Sequence, residues 1–231
     1  LTIMYVKDHM TANPITITPD TSVSKALDLM QKGEFHRLPV VDGDGKLKGL
    51  ITEGIVTDST GSNKTSLSIY ELNYLLSRMN VDEIMIRDVV TITADKFVEQ
   101  AADMMLDNSI NVLPVVDGEN RVIGIITEKD IFRTFVELLG LRHQGTKFVI
   151  DMENRPGEAA KTFDLLAKND ANVEAFGVYH TERGTECFVK ATGTIEVEAM
   201  TKILKDNDVR VDRVIQTTKE GKTVEYDPKK I

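Results

Sequence analysis

Apolar and polar positions follow the same order twice in the first 140 or so residues of the chain. In each copy a short β-branched run leads into a stretch with apolar residues at helical spacing. Two further apolar runs then flank a turn that contains Asp-Gly, which is a strong signal for a β-hairpin. Each copy therefore predicts a strand, a helix, a hairpin and a closing helix. The predicted elements are strands 15–18 and 90–93, helices from Ser22 and near Val98, hairpins 38–52 and 112–127, and helices from Glu53 and Glu128.

The two copies are related by a fixed offset of 75 residues. Residues 6–53 align with residues 81–128 without a gap, and 20 of the 48 pairs are identical. A unit this short buries little core by itself, so we expect the copies to fold as a pair around a pseudo-twofold axis, with two related clefts between them.

A polar stretch at 58–66 separates the copies and predicts an exposed, mobile loop. Ser68 and Glu71 then have the spacing of a capping box at a helix start. The helix that follows has one apolar face. We expect this face to pack on the repeat pair rather than to bind a partner protein. Its members are Ile69, Leu72, Leu75, Leu76 and Met79.

The pattern changes after a helix predicted at 128–141. Apolar runs then alternate with helical spacing in the order β-α-β-β-α-β, which is typical of a ferredoxin-like unit. The predicted elements are 148–152, 157–168, 173–179, 186–191, 197–205 and 209–216. The chain as a whole is predicted to be α+β, with these boundaries: repeat 1 at 1–58, a linker loop and helix at 59–80, repeat 2 at 81–142, the ferredoxin-like unit at 146–217, and a charged tail at 218–231 that frays from Lys219 on.

Composition narrows the class of protein. Hydrophobic residues make up 41% of the chain and charged residues 28%, as in soluble globular proteins, and no apolar run is long enough to span a membrane. A net charge of −9 argues against a nucleic-acid partner. Residues 144–231 hold 14 Lys and Arg against 16 Asp and Glu, so most of the acidic excess lies in the repeated half.

Reactive chemistry is sparse. The single cysteine, Cys187, excludes an intrachain disulfide framework and fits a reducing cytoplasm, and we expect it to be a buried thiol rather than a nucleophile. The four histidines lack metal-ligand spacing, so no metal site is predicted. No phosphate-binding loop or nucleophile motif occurs, which argues against an enzyme and predicts no catalytic residue.

Several motifs resemble known families. The residues Val-x-Asp-x-Met-Thr at 6–11, Leu-Pro-Val-Val-Asp-Gly at 38–43 and 113–118, and Gly-x-Ile-Thr-Glu at 49–53 and 124–128 resemble a pair of CBS domains. Residues 146–217, with Asn-Arg-Pro-Gly at 154–157, resemble an ACT domain. The combination, with the helix at 66–77, resembles the acetoin-utilisation protein B family.

The resemblance implies regulation rather than catalysis. CBS pairs bind adenosyl ligands in their clefts, and ACT domains dimerise and bind amino acids. The expected function is therefore a cytoplasmic, homodimeric sensor of AMP, ADP, ATP or S-adenosylmethionine that controls a partner enzyme of acetoin or acetate metabolism. The alternative is a ligand-free dimerisation scaffold for a partner enzyme, and an enzyme is the third possibility.

The ligand signature of CBS pairs is complete in the second copy, as Gly124, Thr127 and Asp130. Thr127 ends a strand and can offer its hydroxyl to a phosphate oxygen. Asp130 lies in the first turn of a helix, where its carboxylate can accept from both ribose hydroxyls or, alternatively, only cap the helix. In the first copy Ile55 stands at the Asp position, so that cleft is predicted to be weak, empty or altered in specificity.

The first copy is expected to complete the Asp130 cleft. The resemblance implies that Met10, Ile15 and Phe35 surround the adenine and that backbone groups near His36 contact its edge. Arg37 is either a phosphate ligand or a solvated surface arginine, and Lys129 is a weaker phosphate candidate.

In the ACT-like part the candidates lie between the first strand and the first helix. Arg155, Pro156 and Gly157 are predicted to open that helix, so an amino-acid carboxylate could bind its free N–H groups and Asn154 could bind the ammonium. The alternative is a strand-to-helix turn without a ligand.

Overall fold

A computed structural model describes residues 4–60, 68–182, 184–193 and 196–231. The chain divides into two compact units, Leu1–Phe132 and Arg133–Ile231. The first unit holds the first repeat and the second repeat as far as Phe132, and each unit is described by itself below. The predicted domain boundaries stay predictions.

The first repeat forms its elements in the predicted order. Ser22 begins the main helix by accepting a hydrogen bond from the Lys25 backbone N–H. The predicted strand 15–18 is reduced to a single parallel bridge between Ile17 and Val40, in a segment where Pro14 and Pro19 lack the N–H that a longer ladder needs. The elements are α1 (Val6–His9), β1 (Thr11–Ala12), α2 (Val23–Gly33), β2 (Arg37–Val41), β3 (Leu47–Thr52) and α3 (Glu53–Thr60).

The second repeat follows the same order after a connecting helix. Ser68 and Glu71 form the predicted capping box. The predicted loop lies largely outside the described residues, as do the side chains of Ile69 and Leu72. The elements are α4 (Ile69–Arg78), a 3-10 turn (Val81–Glu83), β4 (Ile92–Thr93), α5 (Val98–Asp107), β5 (Val112–Val116), β6 (Val122–Thr127) and α6 (Glu128–Leu138).

The apolar face predicted for α4 is narrower than expected among its described side chains. Leu76 is buried and Met79 packs on the core of the first repeat, whereas Leu75 is 47% exposed. The helix therefore docks along one edge of that face.

The two repeats exchange the segments that precede their helices. Val6 lies in the hydrophobic core of the second repeat, whereas Val81 and Met85 lie in the core of the first. β1 pairs with β6 of the second repeat, and Ile86 bridges Leu50 in β3 of the first. Each core is thus completed by residues of the other copy, which confirms that the copies fold as a pair.

The hairpin turns of the two repeats also meet. Leu47 N–H donates to the Asn120 carbonyl at 2.9 Å, and Val122 N–H donates to the Gly45 carbonyl at 3.0 Å. These reciprocal bonds join equivalent parts of the copies, as a pseudo-twofold relation requires.

The second unit contains the predicted β-α-β-β-α-β order. Its antiparallel sheet has the strand order β11-β10-β7-β9-β8, and its core includes Phe148, Val189, Leu166 and Leu204 from strands and helices alike. The elements are β7 (Gly145–Met152), α7 (Glu158–Lys168), β8 (Asn172–Thr181), β9 (Gly184–Thr192), α8 (Val197–Asp206), β10 (Arg210–Thr217) and β11 (Thr223–Tyr226).

The prediction that the tail frays from Lys219 is wrong. β11 pairs with β10 through a turn in which Gly221 has a φ of +76°. The Tyr226 hydroxyl bonds Gln216 at 3.0 Å, and Lys205 Nζ donates to the Pro228 carbonyl. These bonds and the packing of the Tyr226 ring on the core hold the segment in place.

Helix α6 ends at Leu138, three residues earlier than predicted. Gly140 adopts a φ of +59°, and its N–H donates to the Glu137 carbonyl while Leu141 N–H donates to that of Val136. Three apolar residues of this helix, Phe132, Phe135 and Leu138, are exposed.

Lys190 is a buried lysine on β9 that holds the chain just after this helix. Its ammonium donates to the carbonyls of Gly140 and His143, the latter at 2.6 Å, and its side chain is almost fully buried. Burial lowers the Lys190 pKa, and the nearby Lys147 lowers it further.

Candidate functional site

Asp130 is a buried carboxylate held in a fixed orientation. Its Oδ2 accepts from the Thr127 backbone N–H at 2.9 Å and from the Thr127 hydroxyl at 2.7 Å, and the residue is 8% exposed. β6 ends at Thr127 and α6 begins one residue later, so strand and helix together place this pair at the start of a helix. A carboxylate has about four lone-pair sites, so it can accept ribose hydroxyls in addition.

Met10 lies directly against the glycine of the signature. A Cβ added to Gly124 would come 2.3 Å from Met10 Sδ, and β1 pairs Thr11 with Ile125 beside it. The structure therefore brings together Met10 of the first repeat and the strand that carries Thr127.

The remaining candidates of the first repeat are positioned by that repeat. Ile15 is 51% exposed, and the half-buried Phe35 packs on the first core with its ring over Gly33. His36 Nδ1 lies 2.8 Å from Glu53 Oε2, and the His36 carbonyl accepts from the Glu53 N–H. The sequence does not predict this pairing of His36 with Glu53.

Two basic candidates complete the set. Arg37 is half-buried at the start of β2, where it pairs with Thr52. Lys129 is exposed in the first turn of α6. Both side chains are at least partly exposed, so a phosphate group could reach either of them.

The equivalent cleft, on the Thr52 side, is an open cavity of about 550 Å³. Residues of both repeats line it, among them Thr52, Val90, Ile110, Asn111 and Val112. Shifted by 75 residues, these positions are Thr127, Ile15, Phe35, His36 and Arg37. The pseudo-symmetry of the pair therefore predicts that these sequence candidates surround the Asp130 cleft.

Ile55, the first-repeat counterpart of Asp130, has no polar side-chain group that could bind a ligand. Ile55 packs on the core of the first repeat, and its N–H donates to the Thr52 hydroxyl at 3.2 Å. Thr52 therefore caps its own helix, where Thr127 bonds a carboxylate. Asn111 and Ser109 also line the cavity and were not among the sequence candidates, although the offset of 75 from His36 indicates Asn111.

The candidates at 154–157 are exposed and partly engaged. Arg155 Nε lies 2.5 Å from Glu158 Oε1 and 3.4 Å from Glu153 Oε2, and these carboxylates raise the Arg155 pKa. The prediction that Pro156 lies in the first helical turn is wrong. Gly157 is the N-cap, with a φ of +94° that favours glycine, and α7 begins at Glu158.

Asn154 is exposed beside this turn, and a charged cavity of about 690 Å³ adjoins it. Acidic and basic side chains line that cavity in equal number: Asp151, Glu153, Glu158 and Asp208, and Arg155, Lys161, Lys205 and Arg210. Because Arg155 is already paired, the turn offers an incoming carboxylate less positive charge than the sequence indicates.

Metal-binding and membrane-spanning features are both absent from the part of the chain that the structure describes. It contains no group of three or more His, Cys, Asp or Glu side chains arranged to hold a metal ion. Among its helices, none has the length and apolar character to cross a bilayer.

Comparison with known proteins assigns the repeated part. The model of the CBS domain matches residues 6–59 and again residues 81–137. A CBS domain-containing protein of Dictyostelium discoideum is 35% identical over 140 residues, which cover 58% of this chain and 92% of that protein. The chain belongs to the CBS domain family.

Longer curated relatives share only the CBS pair. The homoserine O-acetyltransferase of Methanocorpusculum labreanum is 35% identical over 131 residues, or 57% of this chain. The chain spans about a quarter of the length of the first curated relatives it matches.

Two solved structures have a similar CBS pair. CBSX2 in complex with AMP is 28% identical and covers 58% of this chain and 98% of its own, with a TM-score of 0.50. The acetoin utilization protein AcuB described from Vibrio cholerae is 26% identical and covers 60% of this chain and 94% of its own, also with a TM-score of 0.50.

Proposed function

We propose that this chain is a non-catalytic regulatory protein whose CBS pair binds an adenine nucleotide or another adenosyl ligand in the Asp130 cleft. The observation that carries the proposal is the buried Asp130 carboxylate, oriented by two hydrogen bonds from Thr127 at the start of α6. A carboxylate fixed in this way loses little conformational entropy when it accepts the two hydroxyls of a ribose. The AMP complex of CBSX2, a relative of this pair, supports an adenosyl ligand.

The site would be completed by the candidates already placed. Met10 lies against Gly124 and offers a polarisable thioether to the adenine, next to Ile15 and Phe35. Arg37 and Lys129 would balance phosphate charge, with His36 at the ring edge. AMP, ADP, ATP and S-adenosylmethionine share the adenosyl part that these residues would contact.

The test is calorimetric titration with those four ligands. We expect one site per chain, and Asp130→Asn should weaken binding at least tenfold, or about 1.4 kcal/mol. The control is Glu137→Gln, an exposed position on the same helix with the same loss of charge. If none of the four ligands binds, or if Asp130→Asn binds as well as the wild type, the proposal is wrong.

Ile55→Asp tests the account of the second cleft. If the missing carboxylate is what weakens that cleft, this variant should gain a second adenosyl site per chain in the same titration. A single site in both proteins contradicts this account.

We further propose that the second unit is an ACT-like module of a homodimer that controls acetoin or acetate metabolism. The strand order of its sheet supports the ACT-like fold, and the exposed Phe132, Phe135 and Leu138 of α6 support the homodimer. The similarity of the CBS pair to AcuB supports a role in acetoin metabolism. Analytical ultracentrifugation tests the dimer. Deletion of the gene in its host, followed by growth on acetoin, tests the process, and unchanged growth contradicts it.

A homodimer that binds none of the nucleotides would favour the scaffold instead. The exposed apolar side chains of α6 fit that function equally well, because assembly does not require an occupied cleft. The same titration therefore separates the two functions.

A further inference from the structure

Two lysines face each other on neighbouring strands of the second unit. Lys147 of β7 is paired with Lys190 of β9 in the antiparallel register, next to the pair of Phe148 with Val189. Phe148 and Val189 lie in the core that the sheet shares with α7 and α8. Because side chains alternate along a strand, both lysines project from the opposite face of the sheet. Like charges directly across a strand pair destabilise it, so the pair gains when one amine loses its charge.

Lys190 is the amine that keeps its proton. Its ammonium donates to the carbonyls of Gly140 and His143 and to the Thr217 hydroxyl, the last at 3.4 Å. A neutral amine has only two N–H groups, so loss of the proton would also cost one of these bonds. The charge of Lys190 is therefore fixed beside Lys147.

Lys147 has no comparable set of acceptors. Its ammonium lies 4.2 Å from the centre of the Phe188 ring, and among the described residues it forms no ion pair or hydrogen bond. The ring face attracts the ammonium more weakly than the three oxygens hold that of Lys190. Burial lowers the pKa of Lys147, and the side chain is only half-buried, so a reagent can reach its amine.

We infer that Lys147 is a modification site whose amine takes an acyl group from a thioester. The lone pair of the unprotonated Nζ attacks the thioester carbonyl carbon and forms an amide bond, while the carbon–sulfur bond breaks and the sulfur leaves as a thiolate. The proton that the nitrogen loses passes to water or to the thiolate. The product is neutral, and its acyl group can pack on the Phe188 ring. The inference does not depend on the nucleotide cleft.

Acylation of Lys147 would also change how Lys190 holds the chain after α6. Repulsion by Lys147 lowers the pKa of Lys190, so removal of that charge stabilises the Lys190 ammonium. The bonds from this ammonium to Gly140 and His143 then become stronger. The modification would thus make the order of this segment depend on the supply of activated acyl groups.

The experiment is incubation of the full chain with S-acetyl-N-acetylcysteamine near neutral pH, followed by mass spectrometry of the peptides that carry each lysine. We expect Lys147 to be acetylated about threefold or more faster than Lys202, an exposed lysine on α8, because a larger fraction of its amine is unprotonated. The ratio should shrink as the pH approaches the ordinary lysine pKa of about 10.4. In denaturant the two lysines should react at similar rates, because the surroundings of Lys147 are then lost.

Equal rates at Lys147 and Lys202 in the native protein overturn the inference. A rate ratio that stays the same at every pH also overturns it, because access to the reagent rather than loss of the proton would then determine the rate.

Two variants test the effect on Lys190. Lys147→Gln resembles the acetylated side chain and should slow hydrogen exchange at the amides of Leu141 and His143 by about twofold or more. Lys147→Arg keeps the charge and should exchange as the wild type does. Equal exchange in the two variants contradicts the effect of acylation on this segment.

Discussion

Glycines at equivalent positions of the two repeats face different neighbours. An added Cβ at Gly124 would meet the Met10 side chain, with Sδ at 2.3 Å, whereas at Gly49 it would meet both Met85 Sδ at 2.5 Å and the Ile86 carbonyl oxygen at 2.7 Å. A thioether can swing aside, but a carbonyl that accepts the Leu50 N–H cannot move without breaking the bridge. The two repeats therefore have glycine at the same position but differ in how easily their surroundings accommodate an added Cβ.

Gly49→Ala should accordingly lower the free energy of unfolding of the first unit by about 1–3 kcal/mol, the usual cost of overpacking. Gly124→Ala should lower it by less. Met10→Ala should restore the stability of Gly124→Ala, whereas Met85→Ala should not restore that of Gly49→Ala. Urea unfolding measures both pairs, and Gly118→Ala, with open space at the Cβ, is the control. Equal costs at the two glycines contradict this explanation.

Cys187 gives a second prediction at this scale. The thiol is 2% exposed, and desolvation raises its pKa, so little reactive thiolate forms at neutral pH. A thiol reagent at a mildly alkaline pH should label the native protein slowly and label one thiol per chain immediately in denaturant. Rapid labelling of the native protein would show that the thiol is accessible, against the expectation from the sequence.

Individual site residues differ in how far the sequence predicts them. Asp130 is predictable because its spacing from Gly124 and Thr127 is local, and the structure shows the same three residues in one strand and helix start. The pairing of His36 with Glu53 is not, because it joins residues 17 apart through the β2–β3 hairpin. Pairings of this kind depend on tertiary register, which residue spacing alone does not give.

At the scale of an element, Lys190 determines how the chain leaves α6. Its ammonium satisfies carbonyls of Gly140 and His143 that follow the helix end. Lys190→Met keeps much of the apolar stem and removes these bonds, each worth about 1.5–3 kcal/mol when the donor is charged. The amides of Leu141 and His143 should then exchange with solvent at least tenfold faster.

Hydrogen exchange measures this effect, and Lys161→Met, which makes the same change at an exposed position on α7, is the control. The pH dependence has a definite sign. Because the native pKa of Lys190 is lowered, the unfolded chain holds its proton more tightly, so stability rises as pH approaches the ordinary lysine value of about 10.4. In Lys190→Met the free energy of unfolding should rise less with pH over this range. An unchanged dependence on pH contradicts the attribution of this rise to Lys190.

Most helices and strands are predictable to within a few residues, because their apolar spacing is long and regular. The failures occur where short segments depend on a neighbour. In the sequence β11 resembles a fraying tail because four residues carry a weak pattern, and only pairing with β10 and packing of Tyr226 order them. The strand expected at 15–18 fails for the converse reason, since its flanking prolines limit pairing to Ile17.

At the scale of the molecule, the exchanged segments make the repeats one cooperative structure. Val81 is fully buried in the core of the first repeat although it belongs to the second, and Val6 is fully buried in the core of the second. Val81→Ala should cost about 1.5–3 kcal/mol. Both repeats should then unfold at one lowered urea concentration.

Backbone amide signals from each repeat, followed by NMR through the urea titration, measure this directly. Val6→Ala should behave in the same way, and Leu106→Ala, at 78% exposure, should change little. If Val81→Ala melts one repeat while the other stays folded, the exchanged segments do not couple them.

The exchange also sets an order of events while the chain is being made on the ribosome. The first repeat emerges with its hairpin complete but without Val81 and Met85, so its core stays unfinished until the second repeat has begun to appear. Its own leading segment, with Val6, meanwhile waits for strands that are not yet synthesised. The nascent chain therefore carries an incomplete apolar core through much of its elongation, and slowing translation across residues 60–90 should increase its need for chaperones.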